Sequence, residues 1–88
     1  MVVRELTIDN RLGLPTRAAA RLVKLATGFR SAITLETAGE RANAKQILGL
    51  MLLAATPGRT VRVIAEGDDE SAALLAIAAL FHNRFDEQ

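Results

Sequence analysis

The sequence predicts an α+β domain whose helices cover one face of a sheet. Three observations lead there. The apolar periodicity alternates between strand and helix spacing in the order strand, helix, strand, strand, helix, strand, helix, or βαββαβα. No linker, low-complexity tract or internal repeat interrupts the 88 residues, so 1–88 reads as one domain. Half of the residues are hydrophobic, but there are only three Phe and no Trp or Tyr, so the core must be aliphatic. A chain of this length buries only about 60–65% of its unfolded surface, which demands efficient packing.

The elements follow in order. VVRELTI, Val2 to Ile8, alternates as a strand, with Val3, Glu5 and Thr7 on one side and Val2, Leu6 and Ile8 on the other. Asp9 and Asn10 begin a loop. From Thr16 the apolar positions Ala19, Leu22, Val23 and Ala26 keep helical spacing, and Gly28 ends that helix. Ser31–Thr37 and Glu40–Ala44 read as two strands joined by a tight turn at Ala38 and Gly39. Lys45–Ala55 is apolar almost all round and reads as a short helix despite Gly49, ended by the turn at Thr56 to Gly58. Thr60–Ala65 is the fourth strand and Gly67 turns the chain. Asp68 or Asp69 is then expected to cap a last helix with a buried stripe of Leu74, Ile77, Phe81 and Phe85.

Charge is distributed unevenly. Met1 to Arg62 holds ten basic residues against four acidic ones, and the remainder one basic residue, Arg84, against six acidic. That separation favours docking onto an acidic partner over general nucleic-acid binding. With no cysteine, disulfides and thiolate metal sites are excluded; with no signal peptide and no long apolar span, a soluble cytoplasmic protein without membrane insertion is expected.

NRLGLPTRAAARL, Asn10 to Leu22, is arranged as though to hold an anion: a turn, an entry segment, then the first turn of a helix. NRLGLPTRAAARLV resembles the active-site segment of the HPr family, the small phosphocarriers of the bacterial phosphoenolpyruvate-dependent phosphotransferase system (PTS), whose motif often reads G-L-H-A-R-P/A-A-A. NAKQILGLMLLAA is similar to the family's N-A-K-S-I-x-G-L-M segment, and ALLAIAALFHNRFDEQ to the tail of its nitrogen-related paralogue. The resemblance implies an HPr-like open-faced sandwich, a four-stranded antiparallel sheet with three helices on one face. It also implies that Pro15 occupies the position of the phosphorylated histidine and Gln46 that of a regulatory serine, while Arg17 keeps the family's arginine.

Proline changes the chemistry. A phosphoryl relay needs a nucleophilic lone pair near neutral pH, which imidazole supplies. The tertiary amide of Pro15 has neither a basic lone pair nor a hydrogen, yet its fixed φ suits a helix entrance and pushes Leu14 towards an extended conformation. An anion can still be held by the first helical N–H groups at Thr16, Arg17 and Ala18 and by the Arg17 fork. Thr16 is then expected to act as the N-terminal cap.

Arg17, Arg21 and Lys24 are spaced to form a basic stripe on the first helix. The second helix can turn only one side to the sheet, so some of Ile47, Leu48, Met51 and Leu52 should be exposed, an apolar patch beside basic residues. The resemblance assigns partner binding to Thr16, Arg17, Arg21, Lys24, Gln46, Ile47, Leu48 and Met51. The implied partners are PTS proteins such as enzyme I or an acceptor or regulatory protein, with no cofactor and no catalysis by the chain itself. His82, the only histidine, reads as a rim side chain near the end of the last helix, and Asp68, Asp69 and Glu70 as helix capping and not a metal site. Two alternatives stay open: a phosphocarrier with a relocated acceptor, His82 or Thr16, and an engineered or degenerate family member. Nucleic-acid binding is disfavoured by the scarcity of aromatics and the lack of a glycine-rich clamp.

Overall fold

The computed structural model describes residues 1–8, 16–53 and 59–86. The elements are β1 (Val2–Thr7), α1 (Thr16–Thr27), β2 (Ala32–Thr37), β3 (Glu40–Asn43), α2 (Ile47–Leu52), β4 (Thr60–Glu66) and α3 (Glu70–His82), followed by one 3-10 turn at Arg84–Asp86. The expectations for Asp9, Asn10, Leu14, Pro15, Ala54, Ala55 and the Thr56–Gly58 turn fall outside the described residues.

The strands form one antiparallel sheet in the order β1-β4-β2-β3. Val2 pairs with Ala65 and Thr7 with Thr60, Ala32 with Glu66 and Glu36 with Arg62, Thr34 with Asn43 and Thr37 with Glu40. The β2–β3 hairpin closes through Ala38 (φ 51) and Gly39 (φ 80), the two left-handed residues that a two-residue turn of matching twist requires.

Strand alternation sorts the two faces. Val61, Val63, Ala65, Ile33 and Leu35 point inward and are buried in one core cluster with Ala18, Ala19, Leu22 and Ala26 of α1. The helix α1 packs on both α2 and α3; α2 lies against β3, and α3 against β1 and β4. The open face of the sheet carries a row of alternating charges that crosses all four strands. Arg62 lies 3.9 Å from Glu5 and 3.9 Å from Glu36, and Glu36 lies 2.6 Å from Arg41. Each neighbouring pair sits directly opposite in the register, where unlike charges favour pairing.

The start of the second helix and the end of the third differ most from the sequence reading. The second helix begins at Ile47, because the Asn43 side chain accepts the Lys45 N–H at 2.9 Å and Lys45 Nζ donates to the Phe29 carbonyl at 2.8 Å. Lys45 is thus held in the connection and Gln46 takes the N-cap position. The third helix ends at His82, so Phe85 is buried from a separate turn in which Arg84 (φ 56) and Phe85 (φ 58) are left-handed. Its ring centroid stacks 4.8 Å from that of Phe81.

Asp69 does take the N-cap position of α3, but its side chain makes no capping bond. Its carboxylate instead accepts the Arg30 N–H at 2.9 Å, the Ser31 N–H at 2.9 Å and the Ser31 hydroxyl at 2.5 Å. Two outside N–H groups and a buried hydroxyl compete successfully with the helix's own N–H groups for this acceptor. These bonds, that of the Ser31 hydroxyl foremost, lower the Asp69 pKa from an ordinary 3.8 to about 2. Gly67 permits the close approach: a Cβ there would stand 2.7 Å from the Ser31 Cα, and its φ of 152 is one that side chains rarely adopt.

Candidate functional site

The site predicted from the sequence divides between the start of α1 and the whole of α2. Thr16 is the first helical residue, so it does not cap α1 as expected. It is exposed, as is Arg17, whereas the Ala18 side chain is fully buried. Ala18 therefore offers an anion nothing but its main-chain N–H. The N-terminal end of α1 carries no acidic residue in its first turn, which leaves its positive dipole end without a countercharge from the helix itself.

The basic stripe is less uniform than its spacing suggests. Arg17 and Lys24 are exposed, but Arg21 is half-buried and its guanidinium donates to the Phe85 carbonyl. Arg21 thus ties α1 to the turn after α3. This bond joins residues 64 apart in sequence, so helical spacing gave no sign of it. Beside Arg21 and Lys24, a groove runs between α1 and α3 over Leu25, Gly28, Phe29 and Leu80, also without a local sequence signal.

On α2 the apolar surface is extensive. Only Leu50 of its six residues is buried, while Ile47 is 38%, Leu48 66%, Met51 43% and Leu52 74% exposed. Leu52, outside the family-derived set, is the most exposed of the four. Gln46 stands at the N-cap position, exposed, with extended backbone (φ −125, ψ 114) and no side-chain capping bond. The helix is held by Leu50 below and by the hydrogen-bonded Asn43–Lys45 connection before it. Ile47, Leu48, Met51 and Leu52 are consequently presented outward.

His82 is exposed at the end of α3 and lines a cleft with Arg4, Leu6, Thr7, Ala78 and Phe81, which includes no residue of α1 or α2. Glu70 accepts the Gly67 N–H at 3.1 Å and pairs with the Met1 ammonium at 2.9 Å; that ammonium is the main cause of its lowered pKa. The acidic run is thereby divided between tying loops together and starting α3. No helix among the described residues is long and apolar enough to cross a membrane.

An antiparallel sheet open on one side, with helices on the other, defines the class: an open-faced α+β sandwich. The family model for the PTS HPr component phosphorylation site matches residues 2–83. The chain is 49% identical to the phosphocarrier protein HPr of Xylella fastidiosa over 99% of its length and 98% of the relative's. It is 43% identical to the HPr-like protein Crh of Bacillus subtilis, covering 90% of this chain and 93% of that one. The crystal structure of HPr-C-His from Thermoanaerobacter tengcongensis superposes with a TM-score of 0.96 at 39% identity, covering 100% of this chain and 99% of that one. The chain belongs to the HPr family, whose members are phosphocarriers of the PTS that interact with proteins such as enzyme I and are not catalysts in themselves.

Proposed function

We propose that this chain is a docking and regulatory member of the HPr family, one that is not phosphorylated at the usual position and acts by binding PTS-related partners in the cytoplasm. Pro15, aligned with the phospho-histidine, removes the nucleophile, and Gln46, aligned with the regulatory serine, removes the second acceptor. What remains is the α1–α2 surface. The observation that carries the reading is the exposure of Ile47, Leu48, Met51 and Leu52 on a helix next to α1, which bears Arg17 and Lys24.

A partner with an apolar centre and an acidic rim suits this surface. Covering the leucines provides affinity, about 1.5–3 kcal/mol for each side chain fully buried. Arg17, Lys24 and, at the margin, Arg21 steer encounter and fix orientation. The N–H groups of Thr16, Arg17 and Ala18 together with the Arg17 fork retain a place for an acidic side chain or a phosphate, now as a recognition element.

Intact-mass analysis after incubation with phosphoenolpyruvate and enzyme I, alongside a Pro15→His variant, tests the reading. The expected outcome is one added phosphoryl group on the variant and none on the natural chain. Phosphorylation of the natural chain would mean that the acceptor has moved, to Thr16 or His82, and would overturn the proposal. Failure of the variant to accept phosphate would show that the docking surface does not engage enzyme I.

A further inference from the structure

The groove between α1 and α3 has an apolar floor and a basic lip. Leu25, Phe29 and Leu80 are half-buried: each packs against the core and also lines the groove. Gly28 contributes no side chain to fill the space beside them. Arg21 and Lys24, one turn apart on α1, stand next to this floor, and no acidic residue lines the groove with them. Its volume is about 690 Å³, within the range of sites that take small organic ligands. The cleft on the open sheet face, about 420 Å³, is different: Glu5, Glu36 and Glu40 are on its walls, and its arginines already pair with two of them.

The hydrogen-bonding groups at the groove decide the charge of what fits. The closing carbonyls of α1 are engaged: that of Lys24 accepts from Thr27 Oγ1 at 3.0 Å, that of Leu25 from the Gly28 N–H at 3.1 Å, and that of Ala26 from the Phe29 N–H at 3.1 Å. The Phe29 carbonyl accepts from Lys45 Nζ at 2.8 Å. A ligand therefore meets donors more than acceptors. The Arg21 guanidinium bonds the Phe85 carbonyl through one nitrogen of a fork with five N–H groups, and the Lys24 side chain is exposed. Three apolar side chains give room for one short apolar body, not for the row of anchors that a partner helix needs. We propose that this groove binds a small amphiphilic anion, with its carboxylate at Arg21 and Lys24 and its apolar body over Leu25, Phe29 and Leu80.

An open groove that covers one face of the ligand gives modest affinity, with half-saturation on the order of 1 mM for a medium-chain acid. The inference goes beyond the docking reading and does not depend on it, because Leu25, Gly28, Phe29 and Leu80 lie outside the α2 patch. Lys24 belongs to both surfaces. An anion held there offsets positive charge on the face that steers an acidic partner, so ligand and partner oppose each other.

Titration of the isotope-labelled full chain with octanoate near neutral pH, followed by amide NMR, tests it. The expected result is saturable shifts centred on the amides of Leu25, Gly28, Phe29 and Leu80. Hexanoate, octanoate and decanoate should bind progressively tighter, by up to about fourfold per methylene. Acetate, which lacks the body, and octylammonium, which reverses the head, should leave these amides unmoved. Lys24→Glu, a change at an exposed side chain, should weaken octanoate at least about threefold, and Leu80→Glu at least about tenfold. Absence of saturable shifts up to about 20 mM overturns the inference, as do shifts centred on residues 47–52. Equal binding of acetate or octylammonium, or binding that Lys24→Glu leaves unchanged, overturns it as well. The acid and amine series uses the natural chain, so the outcome does not rest on whether Leu80→Glu folds.

Discussion

The helices α1 and α2 lie against each other and are built on opposite plans. In α1 four residues, Ala18, Ala19, Leu22 and Ala26, are sealed in the core, and charged or small residues take the solvent side. In α2 a single residue, Leu50, is sealed, and four large apolar side chains face outward. Both are rich in hydrophobic residues. Amphipathic segregation in α1 makes a structural helix, whereas the absence of segregation in α2 makes a helix whose surplus apolar area has no use inside the chain. That surplus is what a partner can bury.

Substitutions that move leucine between the two settings sharpen the contrast. Leu22→Ala, in the fully packed position, is expected to cost about 2–5 kcal/mol of unfolding free energy in urea titrations. Leu48→Ala, on the exposed side of α2, is expected to change it by less than about 0.5 kcal/mol. Comparable costs at the two positions would break the distinction. The converse holds for binding: Leu48→Glu should weaken enzyme I association at least about tenfold in calorimetric titration while leaving the melting temperature within a degree or so.

Polar contacts divide in the same way. The Asp69 carboxyl has a pKa of about 2 in the folded protein against an ordinary 3.8, so its contribution to stability is complete above about pH 4 and is lost as pH falls from 3.8 towards 2. Urea midpoints measured from pH 6 down to pH 2 should fall through that window, and more gently in Asp69→Asn. Glu70, lowered chiefly by the Met1 ammonium, adds to the acid side of the same slope. The smallest effect is expected for the charge row on the open sheet face. Arg62→Ala, at a side chain 54% exposed, should cost no more than about 1 kcal/mol, and less again in 1 M salt.

Much of this was legible in the residues themselves. Alternation placed β1 and β4, the spacing of Ala19, Leu22 and Ala26 placed α1, and the all-round apolarity of the second helix foretold its exposed side chains. Contacts between distant segments were not legible. Asp68 and Asp69 look like caps because local sequence shows an acid before a helix. Asp69 answers to Arg30 and Ser31 instead, 39 and 38 residues away. Phe85 was placed on the buried stripe of α3 by period alone; it is buried, but through a left-handed turn that Arg21 holds by its carbonyl. The charge row could not be read without the strand order, since Glu5, Arg62, Glu36 and Arg41 become neighbours only when β4 inserts between β1 and β2.

That insertion has a consequence for how the chain is born. Among the described residues the first strand has β4 as its only neighbour in the sheet, so Val2 must wait for Ala65 to exist. At roughly 5–20 residues per second a ribosome needs several seconds to supply that partner, whereas a hairpin such as β2–β3 closes in about 1–10 μs once made. Nascent chains that end before β4 can hold the hairpin but not a completed sheet. The sheet is therefore completed only when β4 enters between β1 and β2, which ties residues 2–7 to residues 60–66.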